Sequence, residues 1–153
     1  MREILFRGKQ KDNGEWIEGY LLNDGFEGLL IAPSTIYSDY DDLPGIFKER
    51  IIIPDTVGQY TGLIDKNGQK IFEGDIVCEV YEANSFFPVR YGPCGVCVYN
   101  TDTTPRRYIG FYIDWKYFAD IKRADIGYWY NRVIVIGNIH DNPELLNNNK
   151  EDL

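Results

Sequence analysis

Asn67-Gly68, set between Leu63-Ile64 and Ile71-Phe72, constrains this chain more than any other short segment. Both residues tolerate positive φ, the requirement of a type I′ hairpin turn, and the apolar pairs on either side supply the strands that such a turn joins. A tight hairpin is expected. Glu73-Gly74-Asp75 then predicts a second turn into Ile76-Val77-Cys78-Glu79-Val80-Tyr81, a strand whose charges and β-branched residues fit one exposed and one buried face. The segment prescribes a backbone course in detail and carries no catalytic machinery.

The chain has 153 residues, enough for one domain or two small subdomains and enough to bury well over half of its unfolded surface without disulfides. Its 12 Tyr, 8 Phe and 3 Trp, with Gly and Pro as punctuation, are those of a folded, strand-rich protein. The net charge of -8 repels nucleic acid on average and favours solubility. That average hides a polarity: residues 90–132 hold seven Lys/Arg against four Asp, a local +3, leaving -11 for the remainder. No apolar run approaches the ~20 residues of a membrane span, and Met1-Arg2-Glu3-Ile4-Leu5-Phe6-Arg7 lacks the apolar core of a signal peptide. Three cysteines without a disulfide-dense pattern fit a reducing compartment, so a cytoplasmic location is expected.

Along the chain, strands are predicted at Arg2–Arg7, Glu15–Leu22 and Gly28–Ala32, the first two paired as a hairpin through Asn13-Gly14. A long polar connection follows, and extended structure resumes at Arg50–Ile53 and Thr56–Tyr60 around Pro54-Asp55. Residues 82–93, with Pro88 and Pro93, read as an insertion between strands, before Gly95–Tyr99 and Tyr108–Ile113. Residues 115–127 fit a short helix or an irregular turn, and Tyr128–Gly137 a last long strand. Asn142-Pro143-Glu144 places an N-cap residue, proline at the first helical position and an acid in the first turn, which predicts a terminal helical turn. Residues 147–153 are expected to fray. The resulting organisation is an N-terminal β hairpin subdomain over residues 1–58, a second unit over 59–146 with its insertion at 82–93, and the tail.

Three blocks together resemble the YopX-like proteins of bacteriophages and prophages, mostly from Gram-positive hosts. They are Arg2-Glu3-Ile4-Leu5-Phe6-Arg7-Gly8-Lys9, then Gln59-Tyr60-Thr61-Gly62-Leu63 through Glu73-Gly74-Asp75-Ile76-Val77, and Val135-Ile136-Gly137-Asn138-Ile139-His140-Asp141-Asn142-Pro143-Glu144-Leu145-Leu146. They bracket nearly the whole chain. The resemblance implies a mainly β fold, with the N-terminal β subdomain packed on a C-terminal SH3-like barrel, and a phage or prophage setting. It implies no activity and no catalytic residues, because the family has no established biochemical function.

Candidate chemistry is sparse. Cys78, Cys94, Cys97 and His140 reach the four soft ligands of a tetrahedral zinc site, but Cys78 and His140 stand alone in sequence, and Cys78 and Cys97 lie in strand-like apolar runs where a thiol acts as a small hydrophobe. A thioredoxin-type role fails because Val98-Tyr99 continues a strand where a helix N-terminus would lower a thiol pKa. The acidic run Asp39, Tyr40, Asp41, Asp42 is no EF-hand, since Pro44 and Arg50 fall where Gly and Glu are required. It reads as a solvated loop, or as a recognition loop for a basic partner. His140 has no catalytic companion, and no glycine-rich phosphate loop is present, so no cofactor and no enzymatic activity are expected.

Two binding classes remain. One is a protein-interaction module acting on a host or phage protein through the acidic portion, and self-associating because open β edges and a high aromatic load call for cover. The other is a nucleic-acid binder using Arg106, Arg107, Trp115, Lys116, Lys122 and Arg123, where cations interleave with rings that stack on bases; the net charge opposes it.

Overall fold

The computed structural model describes residues 3–23, 25, 28–33, 50–80, 82–96, 106–114 and 125–147. The protein is mainly β. Its strands are β1 (Phe6–Lys9), β2 (Trp16–Asn23), β3 (Leu29–Ala32), β4 (Gly58–Ile64), β5 (Lys70–Phe72), β6 (Asp75–Glu79), β7 (Glu82–Val96), β8 (Arg106–Ile113) and β9 (Val133–Asn138), with one short helix, α1 (Ile126–Trp129). No helix among the described residues is long and apolar enough to cross a membrane. The chain divides into two compact units, Met1–Tyr60 and Thr61–Leu153, with the division inside β4.

In the first unit β2 lies between β1 and β3, and β1 pairs with the start of β4. The predicted β1–β2 hairpin forms around a four-residue loop, Lys11–Gly14, closed by Gln10 N–H to Glu15 O at 2.9 Å and Gly14 N–H to Gln10 O at 3.0 Å. β1 itself starts later than expected, at Phe6, and continues through Gly8. The reason is packing: a Cβ at Gly8 would lie 2.9 Å from Ile52 Cδ1, and one at Gly19 only 1.8 Å from the Ala32 carbonyl oxygen. Bare backbone at these positions lets Ile31 and Ile52, both fully buried, close over the strands.

Residues 50–53 are held from both sides. Ile31 N–H donates to Arg50 O and Ile52 N–H to Leu29 O, while Lys11 N–H donates to Ile51 O and Ile53 N–H to Lys9 O. Backbone bonding thus runs from β1 through β2, β3 and this segment to the end of β1 again. Thr56, in the 3₁₀ turn Pro54–Thr56, adds a side-chain tie, donating to Ile53 O at 2.6 Å and accepting Lys9 N–H at 2.9 Å. The Arg50 guanidinium caps the Ile31 and Glu18 carbonyls, and partial burial lowers its pKa below the ordinary 12.5 without discharging it near neutral pH.

The second unit holds the β4–β5 hairpin and a sheet in the order β8-β7-β6-β9. Its core is Ile71, Val77, Phe87, Val89, Phe111, Ile113, Ile126 and Val133, with Leu63, Trp129, Tyr130 and Val135 packed around them. β8 and β9 are the edges of this sheet, and no strand pairing joins them among the described residues, so the closed SH3-like barrel expected there is not seen. Residues 82–93, read as an insertion, belong instead to the 15-residue strand β7. The prolines that suggested an interruption fall where their missing N–H costs little. Pro88 lies just past the last β7–β8 partner pair, Val89 with Ile113, and its carbonyl accepts Asp114 N–H. By strict alternation Pro93 faces away from β8, beyond the reach of β6, whose pairing with β7 ends at Pro88.

Three further expectations change in detail. Tyr128 and Trp129 lie in α1 and not in the last strand, which begins at Val133. Arg132 turns the chain between them: its backbone N–H donates to Trp129 O at 2.7 Å, its guanidinium donates to Tyr128 O, and its Cζ sits 4.2 Å from the Tyr128 ring centroid. The terminal turn Pro143–Leu146 is 3₁₀, and Asn142 does not cap it through its side chain. Its carboxamide oxygen accepts Asn138 N–H at 3.3 Å instead.

The Asn67-Gly68 hairpin is present, with a different turn. Gly68 N–H donates to Asp65 O at 3.1 Å and Asp65 N–H to Gln69 O at 2.7 Å, so Lys66 and Asn67 are the central residues and Gly68, φ +86°, forms the bulge after them. Asp65 selects this geometry. Its Oδ1 accepts the N–H groups of Asn67 at 2.8 Å and Gln69 at 2.9 Å, while Oδ2 accepts Val135 N–H on β9 at 2.8 Å. The residue is 4% exposed, so solvent is a poor substitute for the carboxylate. Asp65→Ala is expected to cost at least about 3 kcal/mol by leaving three N–H groups without their acceptor. Asp65→Asn should lie between, keeping the Oδ1 bonds and turning an amide against Val135. Urea denaturation of the three proteins checks the order.

Candidate functional site

β7 changes partner along its length. From Glu82 to Pro88 it pairs with β6, and from Val89 to Val96 with β8. Gly74, at the turn before β6, still donates its N–H to Val89 O at 2.9 Å. Beyond that point β7 and β8 form a two-stranded ribbon, eight residue pairs and about 25 Å long from its base. β8 is covered on its outer side only near Tyr112, which bridges to Asp125.

Alternation puts Val89 and Ile113, then Tyr91 and Phe111, then Ile109 on one side of this ribbon. The series begins in the core and runs out of it. Val89 and Ile113 are 1% and 0% exposed, Phe111 8%, Tyr91 54% and Ile109 71%. A sheet's core-facing side therefore continues into solvent as an apolar stripe. Its base is anchored by the Tyr91–Phe111 ring contact, centroids 5.0 Å apart and 62° inclined, and by the Arg90–Asp114 ion pair at 2.8 Å. That pair is largely exposed and adds well under ~1 kcal/mol of stability. Arg106 and Arg107 stand at the far end, opposite Val96 and Gly95.

A second exposed surface lies on the first unit. Glu18, Tyr20 and Leu22 alternate outward along β2, with Tyr20 47% and Leu22 45% exposed. Trp16 continues the series and carries two cations from β1 over its ring, Arg7 Cζ at 4.9 Å and Lys9 Nζ at 5.6 Å from the centroid.

The sequence-predicted site residues fall as follows. Trp115, Lys116, Lys122, Arg123, Cys97 and the Asp39, Tyr40, Asp41, Asp42 loop lie outside the described residues. Cys94 is in β7, paired with Tyr108. Cys78 is in β6, 4% exposed, with its thiol donating to Glu79 O, and it pairs with Ile134. His140 lies past the other end of β9, its Nε2 4.0 Å from where a Gly74 Cβ would stand. Gly74 and Cys78 are four strand positions apart, roughly 13 Å, so Cys78 and His140 are not brought to one ion with ligands about 2 Å from the metal. Among the described residues no cluster of three or more metal-ligating side chains occurs.

His140 instead belongs to a turn closed by Asn138. The Asn138 carboxamide oxygen accepts His140 N–H at 3.0 Å and Asp141 N–H at 2.9 Å, and its amide donates to Asp141 Oδ2 at 2.9 Å. Ile139 N–H donates to Gly74 O at 2.9 Å, tying the turn to the start of β6. The ribbon was hidden by its prolines, although Ile109-Gly110-Phe111-Tyr112-Ile113 carries the period-two signal of a face. Burial predicts thiol chemistry: alkylation of the native protein should leave Cys78 unmodified, and denaturation should expose it, as read by peptide mass spectrometry.

The family model described as YopX protein matches residues 5–147. Among solved structures, the crystal structure of protein EF1440 from Enterococcus faecalis is similar, with 24% sequence identity, 95% of this chain and 99% of that chain covered, and a TM-score of 0.48. No curated protein matches the chain.

Proposed function

The chain belongs to the YopX protein family, and from that premise we propose that it is a non-enzymatic protein-interaction module of a phage or prophage, acting in the cytoplasm. The observation that carries this reading is Ile109, 71% exposed on the same side of β8 as the buried Phe111 and Ile113. A soluble surface tolerates scattered apolar residues, but a core face prolonged past its sheet is the form that a docking surface takes. The fold that supports it is the SH3-like barrel implied by the family resemblance. A photo-crosslinking amino acid at position 109, in the full chain expressed in its bacterial host, is expected to give a discrete protein adduct on irradiation. The same group at Asp12, in the exposed β1–β2 loop, is the control. Equal, diffuse labelling at the two positions would sink the reading.

Arg106 and Arg107 at the ribbon's far end favour a second reading, a nucleic-acid contact. In that case single-stranded DNA is retained at low salt, and Arg106→Ala/Arg107→Ala flattens the slope of log K against log salt by about 1.4, the loss of two phosphate contacts. Fluorescence anisotropy with a labelled oligonucleotide measures it, and an unchanged slope removes this reading.

A further inference from the structure

Resting on the interaction reading, we infer that the occupant of the ribbon is a second copy of this chain, and that the ribbon docks on the outward β2 face of that copy's Met1–Tyr60 unit. The two surfaces are complementary in charge. Residues 89–113 hold Arg90, Arg106 and Arg107 against Asp102, a net of +2 in a chain of -8. Residues 1–60 hold six Lys/Arg and eleven Asp/Glu, a net of -5. Ribbon against ribbon would set like charge on like charge; ribbon against the first unit sets opposite charges together and steers the encounter.

They also match in kind. The ribbon presents Tyr91 and Ile109, 54% and 71% exposed, with cations flanking them in sequence. The β2 face presents Tyr20 and Leu22, 47% and 45% exposed, beside the exposed Glu18. Each is an apolar pair with one polar neighbour, the composition of an interface centre with its rim. A nucleic acid would use the arginines and leave Ile109 without a purpose.

Area argues for reciprocity. One face of a two-stranded ribbon about 25 Å long and ~10 Å wide offers roughly 250 Å² in projection, short of the ~800 Å² per partner of a specific interface. In a two-fold dimer each copy gives its ribbon and receives the other's, so the contact is made twice and the assembly closes.

This asymmetry supplies the test. Native mass spectrometry and light scattering of the full chain at micromolar concentration should show a dimer. Ile109→Asp removes the ribbon contact and Leu22→Asp the receiving face; both residues are exposed, so both variants are expected to fold, as circular dichroism will report. Each alone should be monomeric. Mixed in equal amounts they should form a heterodimer, because one retains an intact face and the other an intact ribbon, with affinity at least about tenfold below wild type for the missing second contact. Ile109→Ser and Leu22→Ser replace the aspartates if either disturbs folding. A monomeric wild type overturns the inference, as does an Ile109→Asp variant that stays dimeric or a mixture that stays monomeric. A monomeric wild type that still gives an adduct of another mass at position 109 leaves the interaction reading standing, whereas loss of every adduct removes both.

Discussion

The carboxylate of Asp65 is the point on which the second unit depends. One side chain accepts three backbone N–H groups, two from its own turn and one from Val135, seventy residues away in sequence. The local pair fixes the hairpin as a type I turn with a glycine bulge, and the distant bond fixes where β9 lies against it. Lys66 N–H to Val133 O completes the contact, so the outer side of β9 is occupied at alternate residues, Val133 and Val135. An edge strand presents unpaired backbone groups to any passing strand, and here they are consumed within the fold. Closing this edge leaves the opposite one, at β8, as the open side of the sheet.

The same economy of backbone groups governs the closing turn. Gly137 pairs with Ile76, and a Cβ there would stand 2.4 Å from Asn142 Oδ1. The glycine makes room for a carboxamide that reaches back to Asn138 N–H, while Asn138 serves His140 and Asp141. Two asparagines thus satisfy the donors of a turn whose only histidine contributes backbone bonding. Polar side chains in loops bond their own backbone by preference, and this turn shows how such bonding occupies residues that in sequence resemble a reactive cluster.

What could be read in the sequence follows from range. Asn13-Gly14 and Asn67-Gly68 marked both hairpins, since positive φ is a local demand. The type of the second turn was not legible, because Asp65 serves the turn and β9 at once and only the folded register reveals the second role. β7 was misread for the complementary reason. Pro88 and Pro93 are breakers by local rules, and their harmlessness depends on which neighbour each faces. Tyr128-Trp129, strand formers by propensity, went into α1 because Arg132 caps the helical turn and stacks on Tyr128. Of the candidate site, the arginines at 106 and 107 were visible as charge, and Ile109 was visible only as one more strand residue.

A two-stranded ribbon is marginal in water by itself, because each strand leaves one edge and one face without a partner. This one is firm at its base and spare beyond it. Val89, Phe111 and Ile113 are bound into the core, and Arg90–Asp114 pins the last paired turn. Further out, Gly92 faces Gly110, so one pair contributes no side chains to the opposite face and weakens the strands in their middle. The residue that would repay ordering the outer half is Ile109, and it lies in solvent. Stability alone gives no reason to extend a core face past the sheet that it covers. A surface arriving from outside gives one: covering Ile109 and Tyr91 would return to the ribbon the apolar burial that its own chain, having closed the opposite edge with Asp65, does not supply.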